Sequence, residues 1–103
     1  MTYSTAQTVS LYKAILLLKS EDEAKRFCRD LLTKQEIEEF AKRWEVAQLL
    51  DQCVPYTEIV KKTNMSSTTI ARVSKWLKKG QNGYRLILER LHRSHIPAKK
   101  GIS

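Results

Sequence analysis

The sequence is short of the residues that break a chain: it has three glycines and two prolines in 103 residues. That scarcity excludes a β-rich fold with its many tight turns as well as a disordered, low-complexity chain, and leaves a helix-rich folded protein. Cysteine is as scarce. Cys28 and Cys53 lack metal-ligand spacing and each falls within an apolar helical pattern, so two reduced, buried thiols are expected rather than a disulfide. No apolar run approaches the roughly eighteen residues of a membrane span. The N-terminus lacks the basic, apolar and small-residue series of a signal peptide. The expectation is a cytoplasmic protein with no membrane partner. Catalytic groupings are missing too: there is no Ser/His/Asp or Cys/His set, no glycine-rich phosphate loop and no isolated carboxylate pair, so neither an enzyme nor a cofactor is expected. His92 and His95 stand at i and i+3, but no nearby Cys or carboxylate completes a metal site.

Acidic residues are missing from the second half in particular. Residues 1–53 carry 8 Lys/Arg and 9 Asp/Glu, whereas residues 54–103 carry 11 and 2, so the formal charge of +8 lies entirely beyond Cys53. Basic residues gathered in this way imply an anionic partner, and counterion release makes nucleic acid the usual one. An acidic protein would also satisfy the charge.

Within that basic half, residues 55–80, PYTEIVKKTNMSSTTIARVSKWLKKG, read as two short helices joined by a tight turn. The first opens after Pro55, with Thr57 placed to cap it, Glu58 complementing its dipole, and Ile59 and Val60 apolar. Asn64 suits a left-handed turn residue and Met65 its buried neighbour. Ser66 or Ser67 then caps a second helix, in which Ile70, Val73, Ser74 and Leu77 form one stripe at i, i+3, i+4 and i+7. Thr68, Thr69, Arg72, Lys75 and Lys79 occupy the opposite face, an arrangement suited to phosphates and base edges in a major groove. Two amphipathic helices of this kind also occur in all-α proteins that never meet nucleic acid.

The remaining chain supplies four further helices. Residues 3–19 contain no Gly or Pro and end in AILLL, apolar on every face and so expected to be buried all round. Ser20 to Glu23 forms a capping box for a helix with an Ala24, Phe27, Cys28 and Leu31 stripe, and Thr33 to Glu36 forms another for the longest helix, reaching about Gln52. That helix has two stripes, one of Ile37, Phe40, Ala41, Trp44 and Ala47, the other of Val46, Leu49, Leu50 and Cys53. After a Gly80 C-cap and an Asn82 N-cap, residues 84–93 form the last helix, with Tyr84, Ile87, Leu88 and Leu91 on its main apolar face and Leu86 on a second. Residues 1–94 are expected to form a single helical domain, with the helix-turn-helix at about 55–79, and residues 95–103 a basic, flexible tail.

With six helices in this order, with LTKQEIEEFAKRWEVAQLL entering the motif and TIARVSKWLK within it, the chain resembles the Trp repressor family. More narrowly it is similar to the YerC/YecD type of Trp repressor-related protein. The resemblance is most specific over residues 32–79. It implies an all-α, six-helix fold assembled as an intertwined homodimer, and a transcriptional regulator, a repressor by analogy, that binds double-stranded DNA with one recognition helix per subunit. Carried over residue by residue, its DNA-facing positions fall on Thr57, Ser67, Thr68, Ala71 and Arg72. Ser66 and Thr69 join them at the start of the second helix, and charge and helical phase add Lys61, Lys62, Lys75 and Lys78 as phosphate contacts.

The resemblance also implies an effector pocket at Thr33, Arg43 and Arg72. Where the tryptophan-responsive repressor has a glycine and a serine, this chain has the larger Val73 and Trp76. L-tryptophan is therefore not the expected effector, and Trp76 is expected to fill part of the pocket by stacking on a guanidinium. The readings that compete with a dimeric DNA-binding regulator are a helical adaptor for an acidic protein and an RNA-binding or architectural protein.

Overall fold

The computed structural model describes residues 5–95, the His95 side chain excepted. Its six helices are α1 (Ala6–Leu16), α2 (Glu21–Leu31), α3 (Lys34–Asp51), α4 (Tyr56–Thr63), α5 (Ser67–Lys79) and α6 (Gly83–His95), and the described residues contain no strand. The expected helix start at Tyr3, the His95 side chain and the tail from Ile96 onward lie outside the described residues. Contacts divide the chain into two compact units, Met1–Glu38 and Glu39–Ser103.

In the first unit, capping chemistry sets the helix limits. Thr5 and Thr8 form a reciprocal box at the head of α1: the Thr8 amide donates to Thr5 Oγ1 (3.1 Å), and the Thr5 amide donates to Thr8 Oγ1 (2.8 Å). The other end of α1 falls three residues short of the expected Lys19. The reason lies in the next helix, since the Lys19 amide donates to Glu23 Oε1 (2.9 Å) while Ser20 Oγ accepts from the Glu23 amide (3.1 Å). Glu23 thus reaches one residue further back than a capping box requires. At α3 the expected box is present, with Thr33 and Glu36 exchanging bonds of 2.9 and 3.0 Å. The expectation of all-round burial fails in the single chain: Ile15, Leu16 and Leu17 are 48%, 82% and 74% exposed. None of the described residues of this unit is buried.

The second unit holds the core. Val46 and Ala47 of α3, Ile59 of α4, Met65 of the turn, and Ile70 and Val73 of α5 form one buried cluster, with Trp44, Leu49, Leu50, Val54, Val60 and Tyr84 packed on it. Helix α3 therefore turns its Val46 stripe inward together with Trp44 and Ala47 of the other stripe, whose Phe40 and Ala41 stay exposed. After Asp51 the chain reverses through Cys53 in a left-handed conformation (φ 63°), and the Val54 amide bonds back to the Leu49 carbonyl (3.0 Å). Both cysteines are free, as expected, but they are not buried: the left-handed turn carries Cys53 out of its stripe to an exposed position, and Cys28 is half-buried. Helix α6 runs two residues past the expected Arg93, and its His92 Nε2 lies 3.1 Å from Asp51 Oδ2 at the end of α3.

Candidate nucleic-acid interface

The interface is built on the turn between α4 and α5. Asn64 ends α4 in the left-handed region (φ 58°, ψ 25°), its amide bonded to the Val60 carbonyl (2.8 Å). Thr63, buried to 3% exposure, locks the corner. Its hydroxyl donates to the Ile59 carbonyl (2.7 Å) and accepts from the Met65 amide (3.2 Å), so the turn's polar groups are satisfied beside buried Met65. Sequence reasoning missed Thr63; a small hydroxyl residue just ahead of the left-handed Asn was its only signal.

Ser66 caps α5, its Oγ accepting from the Thr69 amide (3.1 Å) and donating to Thr69 Oγ1 (3.0 Å). Those two hydroxyls are held together at the helix start, and Ser67 follows as its first, exposed residue. Ile70, Val73, Ser74 and Leu77 are all buried, so the stripe along α5 faces inward as its spacing predicts. Thr68, Ala71, Arg72, Lys75, Lys78 and Lys79 remain exposed on the other side. Among the described residues, neither Arg72 nor Lys75 pairs with a carboxylate. On α4, Thr57, Lys61 and Lys62 are exposed as well. Thr57 is not the cap: Pro55 holds that position with extended backbone and no side-chain bond, which places Thr57 in the first helical turn.

The residues assigned to an effector pocket have different surroundings. Thr33 is engaged in its capping box with Glu36. Arg43 Nε lies 3.4 Å from Glu39 Oε2, and its guanidinium sits 5.7 Å from the centre of the Phe40 ring. Val73 is part of the core at 2% exposure. Trp76 is 52% exposed and stacks on neither arginine, contrary to expectation. Its indole instead borders a groove of about 520 Å³ whose other walls are Trp44, Tyr84, Ile87, Gly80, Gln81 and Gly83. Trp44 and Tyr84 are stacked within it, centroids 6.4 Å apart and planes 12° from parallel. Helical phase explains the outcome, because Trp76 lies at the edge of the stripe on the Val73 and Gly80 side, toward α6.

Comparison with known proteins decides the family. The Trp repressor protein family matches residues 6–92. The chain belongs to the Trp repressor family. The Bacillus subtilis protein YerC, itself described as uncharacterized, is 40% identical over 81 residues, 79% of this chain and 78% of that protein. Among solved structures, a TrpR-like protein from Eubacterium eligens superposes with a TM-score of 0.83 at 40% identity, covering 86% of this chain and 92% of the other. A candidate Trp repressor from Staphylococcus aureus gives 0.82 at 34% identity, over 86% and 89%. This member of the Trp repressor family, related to YerC, therefore carries the all-α fold of a family of DNA-binding regulators.

Proposed function

We propose that this family member is a sequence-specific transcriptional repressor that acts as a homodimer on double-stranded DNA, with residues 1–94 serving both dimerisation and DNA binding. The observation that carries the reading is the division of α5, whose apolar stripe is wholly buried while Arg72 and Lys75 stand exposed and unpaired among the described residues. Arg72, Thr68, Ser67 and Ala71 face base edges in this reading, Thr57, Ser66 and Thr69 line the groove entrance, and Lys61, Lys62, Lys75 and Lys78 hold phosphates.

Selection from a random duplex library, followed by competition against bulk genomic DNA, tests it. A regulator should prefer its selected duplex by at least about a thousandfold. A flat selection with binding that depends only on salt would leave an architectural protein instead.

The repressor does not respond to L-tryptophan in this reading. Val73 fills with core volume the position where the tryptophan-responsive repressor keeps a glycine, and Trp76 stands where a serine would be. Isothermal titration with L-tryptophan up to millimolar concentration is expected to give no binding heat, and the selected duplex should bind equally well with and without it. Micromolar binding that tightens the DNA complex would overturn this part of the proposal.

A further inference from the structure

Thr63 is the most deeply buried polar residue among the described residues, at 3% exposure against 7% for Ser74. Its hydroxyl uses both of its capacities, donating to the Ile59 carbonyl (2.7 Å) and accepting from the Met65 amide (3.2 Å). The second bond spans Asn64, the left-handed residue at which α4 ends. The Met65 amide has no other acceptor among the described residues. Both ends of this bridge are anchored, because Ile59 and Met65 belong to the buried cluster that also holds Ile70 and Val73 of α5. Ser66, the residue after Met65, is the cap from which α5 begins.

We infer that Thr63 is a positioning residue for the recognition helix: its hydroxyl fixes the direction in which α5 leaves the turn, and with it the sequence preference of the Arg72 face. The inference rests on the DNA-reading function proposed above and deepens it, since Thr63 is buried and touches no nucleic acid itself. Leverage makes the direction matter. Arg72 lies five residues after Ser67, about 7.5 Å along the axis, so a tilt of about 10° at the helix start displaces it by about 1.3 Å. Hydrogen bonds to base edges tolerate only a few tenths of an ångström around about 2.7–3.2 Å. A lysine on its flexible stem can follow a phosphate through the same displacement. Apolar burial holds α5 against α4 but is non-directional, whereas the bond from Met65 to Thr63 is directional and sits where the helix starts.

The test compares the full-length parent with Thr63→Val, which keeps the shape and loses the hydroxyl, and with Thr63→Ser, which keeps the hydroxyl. Affinities for the selected duplex and for random duplexes are measured at a temperature where circular dichroism finds each protein folded. Thr63→Val is expected to lose at least about tenfold on the selected duplex and less than about twofold on random ones, with Thr63→Ser regaining most of the loss. A purely structural role would instead lower the folded fraction, and both affinities in the same ratio. A second measurement needs no variant: in the parent, the Met65 amide should exchange with deuterium at least about a hundredfold more slowly than in an unstructured peptide. Equal losses on both duplexes, an unchanged preference in folded Thr63→Val, or an openly exchanging Met65 amide would overturn the role of Thr63 and leave the regulator standing. A parent chain with no preferred duplex would overturn both.

Discussion

Arg72 and Lys75 are one helical turn apart on the same exposed face, yet their chemistry separates them. A guanidinium can pair with two acceptors of one base edge, whereas an ammonium acts on a phosphate as a point charge. Arg72→Ala is therefore expected to lose about 1–3 kcal/mol on the selected duplex and to relax sequence preference, while Lys75→Ala weakens all sequences alike and lowers the salt slope by about one. Equal losses on selected and random duplexes for Arg72→Ala would remove it from base reading. The turn gives a second residue-scale expectation. Asn64 sits at φ 58°, where a side chain branched at Cβ is strained but glycine is not. Asn64→Val should cost about 1–2 kcal/mol in chemical denaturation, and Asn64→Gly should stay close to the parent. Gly80 is constrained differently, because a Cβ there would run into the Trp76 carbonyl at the end of α5.

At the scale of elements, two threonines with the same apparent role prove different. Thr33 exchanges bonds with Glu36 at the head of α3, whereas Thr57 sits inside the first turn of α4 behind a proline cap. Thr33→Ala should lower stability by about 0.5–2 kcal/mol in thermal or urea unfolding. Thr57→Ala should leave stability within about 0.5 kcal/mol, and any effect it has should appear in DNA binding. The contrast also marks what a sequence can convey. The Thr33–Glu36 capping box, the left-handed Asn64 and the Ile70, Val73, Ser74 and Leu77 stripe are local patterns spanning a few residues each, and each is found where its spacing puts it. The position of Cys53 was not legible, because one backbone rotation after Asp51 decides whether its stripe continues. Nor was the Trp44, Trp76 and Tyr84 groove, which depends on how α3, α5 and α6 pack rather than on any one helix. In α1, apolar composition pointed to burial on every side, which the single chain does not supply: Ile15, Leu16 and Leu17 are exposed.

That last discrepancy governs the whole molecule. Every buried hydrophobic side chain among the described residues lies between Val46 and Leu88, inside the unit Glu39–Ser103. The first unit has only α1, α2 and the start of α3, with Val9, Tyr12, Ile15, Leu16, Leu17 and Leu31 all exposed. Two helices of 11 residues each gain little from propensity alone, since most helical stability comes from packing an apolar face. Removing those side chains from water would contribute roughly 25 cal/mol for each Å² covered, and the chain leaves that gain unrealised by itself. A second copy presents the same uncovered apolar side chains, so a closed two-fold pair can cover both chains at once. The expected outcome is a homodimer at micromolar concentration with no stable monomer, unfolding in one transition whose midpoint rises with protein concentration. Sedimentation equilibrium combined with circular dichroism checks it. A folded, helical species of 12.0 kDa that persists on dilution would show that α1 and α2 hold their structure without a partner chain.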